Sequence, residues 1–207
     1  MSYKTDQETF WAGEFGDSYT ERNTTDDIFS SNLAFFSRIL SKTSDIRSIL
    51  ELGANAGLNL HALKTLLPHA SRDAVEINAK AVSDLQVSGV AHRIFHSSIL
   101  DFEPHEGYEL VFTKGVLIHI APEMLEKVYD VIYRSTKRYA LVAEYYNPSP
   151  TSISYRGHEE RLFKRDFAGE LMARFPDLRL IDYGFVYRRD PNFPQDDLTW
   201  FLLEKSQ

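Results

Sequence analysis

The chain has 207 residues, of which 43% are hydrophobic and 26% are charged, and its formal net charge is −7. These values predict one compact globular domain, and the negative charge argues against nucleic acid as the main partner because phosphates would be repelled. The absence of cysteine excludes disulfides, thiolate metal sites and cysteine nucleophiles. The N-terminus lacks the apolar core of a signal peptide, and no stretch reaches the roughly 18 apolar residues of a membrane span, so we expect a cytoplasmic protein.

Short apolar runs alternate with amphipathic stretches along most of the chain. Residues 1–23 are polar and aromatic without a clear period, and a helix is predicted next, over residues 24–42. The predicted strands cover residues 46–52, 73–77, 92–99, 108–115, 139–146, 178–187 and 198–205. Further helices are predicted over residues 57–68, 78–89, 121–137 and 165–175.

The order of these elements predicts an α/β fold. Strands and helices alternate from residue 46 to residue 146, which is typical of a parallel sheet with helices on both faces. Residues 147–165 break the pattern and are interpreted as a loop or insertion on the substrate side. The connection between the last two strands leaves no room for a helix, so these strands should be antiparallel.

The segment ILELGANAGLNL places glycines and asparagines directly after a buried strand that contains an acid. In an open parallel sheet, ligands bind beyond the carboxyl ends of the strands, where glycine lets the backbone approach them closely. A dinucleotide fingerprint, G-x-G-x-x-G, fits at Gly53 but fails at Asn55 and Leu58. The acid-x-G-x-G-x-G turn of class I methyltransferases fits at Glu51, Gly53 and Gly57, and Asn55 tolerates a left-handed conformation. A tight turn without a ligand is the alternative.

The ends of the next two strands carry further candidate contacts. Glu76 ends the second strand, where an acid accepts the hydroxyls of a ribose in dinucleotide folds, although it can also cap a surface helix. Ile77 follows it. Ser98 and Ile99 end the third strand and can flank an adenine, with Ser98 at a position usually held by an acid. The fourth strand leads into FTKGVLIHI, which lacks the [N/D]-P-P-[Y/F] tetrad of methyltransferases that act on amide and base nitrogens.

These segments together resemble the pseudaminic acid biosynthesis-associated methylase family within the class I S-adenosylmethionine-dependent methyltransferases. The similar blocks are FWAGEFGDSYTERN, ELGANAGLNL, FTKGVLIHI, AEYYNPSP, YRGHEERLFKRDFAGE and NFPQDDLTWFLLEK, which span Phe10 to Lys205. The resemblance implies a single Rossmann-like domain over residues 1–207, with a seven-stranded sheet that is mostly parallel and has an antiparallel last strand. It also implies that Gly53, Asn55 and Gly57, together with Glu76, hold S-adenosylmethionine.

Methyl transfer depends mainly on holding the nucleophile in line with the donor, and a hydroxyl acceptor also needs a base. His119, just past the fourth strand, is the best base candidate, or else it packs on the start of a helix. Lys114 either lines the donor pocket or carries its ammonium from a buried strand end to solvent.

The N-terminal residues 1–23 are interpreted as a lid. Trp11, Phe15 and Tyr19 would cover the donor and exclude water, and Arg22 would pair with the methionine carboxylate. The alternative is that these aromatic side chains simply pack on the first helix.

The basic segment YRGHEERLFKR lies inside an acidic protein, which suggests an acidic small-molecule substrate; a solvated helix face with internal ion pairs is the alternative. Aromatic and polar residues after the fifth strand can contact a sugar-like acceptor. The substrate-binding candidates are Tyr145, Asn147, Tyr155, Arg156, His158 and Arg161, with Tyr146 as a second catalytic candidate.

The expected function is methyl transfer from S-adenosylmethionine to an oxygen or nitrogen of a small acidic acceptor, such as a pseudaminic-type sugar or a nucleotide-linked sugar. An NAD(P)-dependent oxidoreductase and a non-catalytic S-adenosylmethionine-binding protein are the alternatives. We expect no bound metal and no nucleic-acid or membrane partner, and the oligomeric state is left open.

Overall fold

The computed structural model describes residues 3–22, 26–155 and 158–206. The strands are β1 (Ser48–Leu52), β2 (Ser71–Glu76), β3 (Arg93–His96), β4 (Tyr108–Lys114), β5 (Thr136–Glu144), β6 (Thr151–Tyr155), β7 (His158–Lys164), β8 (Leu178–Phe185) and β9 (Thr199–Lys205). The helices are α1 (Asp6–Ala12), α2 (Glu14–Arg22), α3 (Asp26–Leu40), α4 (Leu58–Leu66), α5 (Ala79–Ser88), α6 (Leu125–Ser135) and α7 (Phe167–Arg174).

Seven of these strands form one sheet in the order β3-β2-β1-β4-β5-β9-β8. The strands β1 to β5 are parallel to one another, whereas β9 is antiparallel to both β5 and β8. The predicted α/β fold, with seven strands and an antiparallel last strand, is confirmed. Because β1 to β5 point the same way, their carboxyl ends form one edge of the sheet, where a ligand site is expected.

The central strands are buried on both faces of the sheet, so their side chains feed two hydrophobic cores. Leu50 and Leu52 of β1 pack on one face with residues from α6 and α7. Ile49 packs on the other face with residues from α3, α4 and α5. This explains why β1 reads as a nearly continuous apolar run rather than as an alternating one.

The N-terminal segment, which has no clear period in the sequence, forms two short helices. In α1, the Thr5 hydroxyl accepts the Glu8 N–H at 3.1 Å, and a Glu8 carboxylate oxygen accepts the Thr5 N–H at 3.0 Å. This reciprocal pair satisfies backbone donors that would otherwise be unpaired at the start of the helix. Helices of 7 and 9 residues are too short for an apolar period to stand out.

The helix predicted over residues 121–137 ends earlier, at Ser135, and β5 begins directly after it, at Thr136. The Thr136 hydroxyl donates to the Ile132 carbonyl at 2.7 Å and so satisfies one of the carbonyls that the helix end leaves open. Because Thr is β-branched, it also suits the first position of a strand.

The segment predicted as a loop contains the hairpin of β6 and β7, in which Ile153 pairs with Leu162. Leu162 and Phe163 are buried, so the hairpin is attached to the body of the domain. The strand β7 packs beside a 3₁₀ turn, Leu117–His119, that follows β4. None of the helices in the described ranges combines the length and the apolar character needed to cross a bilayer.

Candidate functional site

A cavity of about 490 Å³ lies at the carboxyl edge of the sheet. The turns after β1, β2, β3 and β4 contribute to its wall, and helices α1, α2 and α3 close it from the sides. This is the edge at which the strand order reverses between β1 and β4, the place where open α/β sheets bind ligands.

The turn after β1 is built from three residues with positive φ: Gly53 at 79°, Asn55 at 47° and Gly57 at 82°. A Cβ on Gly53 would lie 2.7 Å from Val116 Cγ2, and a Cβ on Gly57 would lie 2.6 Å from Leu85 Cδ2. Both positions therefore require glycine for conformation and for space. Asn55 adopts the left-handed conformation that its place in the motif requires.

Glu76 joins this turn to the start of α5. Its Oε2 accepts the N–H of Asn55 at 2.7 Å, and its Oε1 accepts the N–H of Asn78 at 2.7 Å. Burial raises the pKa of Glu76, while the backbone N–H groups that it accepts act in the opposite direction. Each carboxylate oxygen can accept a further hydrogen bond, and the residue lines the cavity.

Ile77, Ser98 and Ile99 line the cavity next to Glu76, as their positions after β2 and β3 predict. The Ser98 hydroxyl accepts the Leu100 N–H at 3.0 Å, which fixes the turn after β3. Ile99 is buried and offers an apolar surface to the cavity. The arrangement suits a flat, mainly apolar ring with polar atoms on its rim.

The N-terminal helices α1 and α2 lie against the turns after β1 and β2. Asn78 Nδ2 donates to the Trp11 carbonyl at 3.2 Å and to Asp17 Oδ1 at 2.8 Å. The Thr20 hydroxyl donates to Asn55 Oδ1 at 2.9 Å. Two side chains of the cavity wall thus hold α1 and α2 in place over it.

The aromatic side chains predicted to form a lid take different positions. Trp11 and Tyr19 line the cavity, and their ring centroids are 5.3 Å apart. The Trp11 ring also lies 4.5 Å from the His119 ring. Phe15 stacks on Phe10 at 4.1 Å and supports Trp11 from behind rather than lining the cavity.

His119 lies in the wall of the cavity and is buried. Its turn is fixed by Glu144 at the end of β5, whose carboxylate accepts the N–H of Val116 at 3.1 Å and of Ile118 at 3.4 Å. Burial raises the pKa of Glu144 to about 7. The pattern AEYYNP gives no sign of this contact, because it joins two strand ends that are far apart in the sequence.

Glu51 of β1 and Lys114 at the end of β4 interact through their charges. Glu51 Oε1 accepts from Asn59 Nδ2 at 2.7 Å, and Glu51 itself is not part of the cavity wall. Burial raises the pKa of Glu51 to about 8, against the opposing effects of Asn59 and Lys114. Lys114 lines the cavity, and its burial lowers its pKa.

The residues after β5 do not reach the cavity. Tyr145 packs against the core and has the Lys164 ammonium 5.2 Å from its ring centroid. Tyr146 is 42% exposed and has its ring 5.9 Å from that of Phe201. Asn147 bonds within its own loop. Their contacts with an acceptor therefore stay predictions, and in this structure the three residues do not line the cavity.

Other predicted contacts fall outside the described part of the chain. Arg156 is not described at all. The side chains of Arg22, Tyr155, His158 and Arg161 lie outside it as well, although their backbone belongs to α2, β6 and β7.

The wall formed by α3 and by the connection between β8 and β9 was not predicted from the sequence. Asn32 of α3 and Gln195 of the connection both line the cavity, and Gln195 Nε2 donates to Asn32 Oδ1 at 3.2 Å. The length of the connection was an available signal, because hairpins usually need only two to five residues. The connection is longer than this, which indicates that it has a role besides joining two strands.

Metal-binding groups are not assembled in this cavity. Among the residues that the structure describes, no group of three or more His, Asp or Glu side chains converges on one point. The charged groups that face the cavity, such as Glu76 and Lys114, are instead held by backbone N–H groups and by amides.

A search of family models and a search of curated proteins find no match to the sequence. They therefore give no link to the pseudaminic acid biosynthesis-associated family. Solved structures, in contrast, resemble the chain over nearly its whole length.

One such structure is the 1,6-didemethyltoxoflavin-N1-methyltransferase of Burkholderia thailandensis with its substrate and S-adenosylhomocysteine, at a TM-score of 0.72 and 13% identity, covering 100% of this chain and 92% of that one. A second is an S-adenosylmethionine-dependent methyltransferase of Leishmania major, at 0.70 and 14%, covering 97% and 87%. A third is the magnesium protoporphyrin IX methyltransferase of Synechocystis with bound S-adenosylmethionine, at 0.65 and 12%, covering 100% of both chains. The chain has the fold of S-adenosylmethionine-dependent methyltransferases.

Proposed function

We propose that the protein transfers a methyl group from S-adenosylmethionine to an oxygen or nitrogen atom of a small acceptor. The observation that carries this proposal is the pairing of Glu76 with the left-handed turn at Gly53–Gly57. The carboxylate is tied to that turn through the Asn55 N–H and still has lone pairs that face the cavity. The shared fold supports the proposal, although a fold alone does not assign an activity.

In the proposed complex, each part of the donor would have a partner in the protein. Glu76 would accept the two ribose hydroxyls, and Ile77, Ser98 and Ile99 would enclose the adenine. The backbone at Gly53 would approach the donor closely, since this position has no side chain. Trp11 and Tyr19 would cover the donor, and Arg22 would pair with its carboxylate.

When bound, S-adenosylmethionine supplies a methyl group on a sulfonium cation, which is displaced in line and leaves a neutral thioether. The protein therefore has to position the acceptor and exclude water. The Trp11 ring and the turn of His119, which Glu144 holds in place, would form the wall next to the reacting groups. For a hydroxyl acceptor, a ring nitrogen of His119 would accept the proton.

The identity of the acceptor is a finer proposal. An acidic, sugar-like acceptor is supported by the basic segment YRGHEERLFKR and by the resemblance of the sequence to the pseudaminic acid-associated family. The structural neighbours act on unlike molecules, a toxoflavin precursor and a magnesium protoporphyrin, so the fold leaves the acceptor open. An oxidoreductase is less well supported, because Asn55 and Leu58 occupy two of the three glycine positions of a dinucleotide turn.

A thermal shift experiment tests the proposed donor. S-adenosylhomocysteine at 100 times its dissociation constant stabilises the folded protein by about 2.7 kcal/mol, which corresponds to a rise in melting temperature of roughly 5–10 °C for a chain of this size. NADH and NADPH at the same concentration should leave the melting temperature unchanged. A rise with a nicotinamide cofactor and none with S-adenosylhomocysteine would contradict the proposal.

A further inference from the structure

The donor proposal accounts for the cavity wall at the ends of β1, β2 and β3 but leaves the opposite wall without a role. That wall is formed by α3, the end of β4 and the connection between β8 and β9. In the order of the sheet, β1 separates β4 and β9 from β2, which ends at Glu76, and from β3, which Ser98 follows. The two walls therefore offer space for two different molecules.

Lys114 places an ammonium at this second wall without a direct ion pair, although the charges of Glu51, Asp196 and Glu144 act on it from beyond ion-pair distance. Its Nζ donates to Asn32 Oδ1 at 3.2 Å, and Gln195 Nε2 donates to the same oxygen at 3.2 Å. Asn32 is 1% exposed, so this shared acceptor holds both donors in place. No carboxylate in the described part of the chain lies within 4.0 Å of the ammonium. An ammonium has three N–H groups, and one of them is committed here.

Residues at or next to this wall carry polar atoms that lack a hydrogen-bond partner. Ser31 Oγ, Gln195 Oε1 and Glu51 Oε2 are buried and have no hydrogen-bond partner. Ser31 and Gln195 line the cavity, whereas Glu51 lies just behind it on Asn59. A buried polar group left unpaired is costly, so several at one wall are expected where a ligand completes their hydrogen bonds.

We propose that Lys114, Asn32 and Gln195 form the acceptor subsite, and that the acceptor presents an anionic oxygen to the Lys114 ammonium and a neighbouring hydroxyl or N–H group to Gln195 Oε1. This inference rests on the proposed methyltransferase function and moves Lys114 from the donor to the acceptor. A carboxylate, a phosphate or a phenolate supplies the required oxygen. The subsite lies on the α3 side of the sheet rather than at the hairpin of β6 and β7.

The variant that tests the subsite is Lys114→Met, which keeps an unbranched side chain one atom shorter than lysine and removes the charge. Because a cation in a low-dielectric site is costly, a neutral side chain at this position should not weaken the fold. Lys64→Met, at an exposed position of α4, is the matched control. The melting temperature and the affinity for S-adenosylhomocysteine of all three proteins are measured first.

The acceptor itself is sought in a small-molecule cell extract that is separated by anion exchange before it meets the enzyme and methyl-labelled S-adenosylmethionine. We expect at least tenfold more labelled product from the retained, anionic fraction than from the unretained one. Lys114→Met should lower that labelling at least tenfold while binding S-adenosylhomocysteine within about threefold of the wild-type affinity. Lys64→Met should behave as wild type.

Several results would overturn the subsite. They are labelling that comes mainly from the unretained fraction, full labelling by Lys114→Met, and a loss of donor affinity in Lys114→Met as large as the loss of labelling. The last result would place the ammonium on the donor. A wild-type protein that fails to bind S-adenosylhomocysteine is a separate outcome, which contradicts the proposed function itself.

If neither fraction yields labelled product, the complex with S-adenosylhomocysteine is titrated calorimetrically with glucuronate, glycerol 3-phosphate and salicylate, and with glucose as the neutral probe. The subsite predicts that at least one anion binds tenfold better than glucose and that Lys114→Met loses this preference. The three anions distinguish carboxylate, phosphate and phenolate chemistry. Equal binding of glucose and all three anions would overturn the subsite.

Discussion

The Glu76 carboxylate connects three parts of the site with two oxygens. It accepts backbone N–H groups from Asn55 in the β1 turn and Asn78 at the start of α5, and its remaining lone pairs are available to a ligand. Asn78 in turn holds α1 through the Trp11 carbonyl. A ligand that binds Glu76 would therefore contact a residue that is linked both to the β1 turn and, through Asn78, to α1.

Replacing Glu76 with Gln should weaken donor binding. The amide keeps one acceptor oxygen but loses the charge, and charge-assisted hydrogen bonds contribute roughly 1.5–3 kcal/mol. We expect the dissociation constant for S-adenosylhomocysteine to rise roughly 10- to 100-fold in isothermal titration calorimetry. Glu123→Gln, at an exposed position outside the cavity wall, is the control and should bind as wild type. An unchanged affinity in Glu76→Gln would remove Glu76 from the site.

The glycine at position 53 should be more sensitive to substitution than another glycine with positive φ. Gly89 has φ 58° with open space around it, whereas a Cβ on Gly53 would contact Val116 at 2.7 Å. Gly89→Ala should cost about 1–2 kcal/mol from conformation alone, and Gly53→Ala about 1–3 kcal/mol more from overpacking. Urea denaturation of both variants measures the difference. Equal losses would show that Val116 moves aside without cost.

At the level of single residues, the sequence predicts the positions of those residues that local motifs determine. Glu76 and Asn55 could be placed because each sits at a fixed step from a strand end in a known turn. Asn32 and Gln195 could not, because they are 163 positions apart and meet only through tertiary packing. Their chemistry carries no local signature, since buried amides serve structural roles in most proteins.

Among the elements, α1 and α2 close the cavity over the turn after β1. The chain has two tryptophans, and Trp11 lines the cavity whereas Trp200 is fully buried in the core below α3. Binding of a ligand should change the environment of Trp11 alone, because only this indole lies in the cavity wall.

Tryptophan fluorescence tests this position of the lid. We expect titration with S-adenosylhomocysteine to change the emission of the wild-type protein and of Trp200→Phe. In Trp11→Phe the change should disappear while calorimetry still detects binding. A change that persists in Trp11→Phe would mean that the helices over the cavity are not where the ligand is sensed.

The elements also show where sequence reasoning stops. The strands of the central sheet were predicted because burial on both faces makes them continuous apolar runs. The helices α1 and α2 were missed because they are short and one of them depends on the Thr5–Glu8 capping pair rather than on an apolar period. The hairpin of β6 and β7 was predicted as a loop, because its polar sequence lacks the two-residue periodicity of a half-buried strand.

For the whole molecule, two buried carboxyl groups should make the stability depend on pH. The pKa values of Glu51 and Glu144 are raised from 4.5 to about 8 and about 7 by burial. Both groups thus bind a proton more tightly in the folded state. Their contribution to stability is complete below about pH 4.5 and is lost as the pH rises through about 7 to 8.

The substitution Glu51→Gln should flatten this dependence. The amide oxygen can still accept from Asn59, and the side chain cannot ionise. At one pKa unit per 1.36 kcal/mol, the wild-type protein should lose on the order of a few kcal/mol relative to the variant between pH 5 and pH 8. Urea denaturation at pH 5, 6, 7 and 8 measures both curves. Parallel curves would show that Glu51 does not titrate in this range.

The organisation of the molecule follows from its strand order. Because β1 lies next to β2 on one side and β4 on the other, the turn after β1 sits in the middle of the ligand edge. In the proposed arrangement, the donor occupies the β2 side and the acceptor occupies the β4 side. The sequence predicts a site on the β2 side because a motif marks it. On the β4 side it indicates Lys114 but not Asn32 or Gln195, because these two residues belong to no motif.

The crystal structure of the complex with S-adenosylhomocysteine is the most direct test of the donor site. It should show the ribose hydroxyls within about 3 Å of the Glu76 carboxylate, a normal hydrogen-bond distance. The adenine should lie against Ile77 and Ile99, with the thioether over the turn at Gly53. Density for the ligand at another edge of the sheet, or a cavity closed to it by the side chains of α1 and α2, would contradict the account.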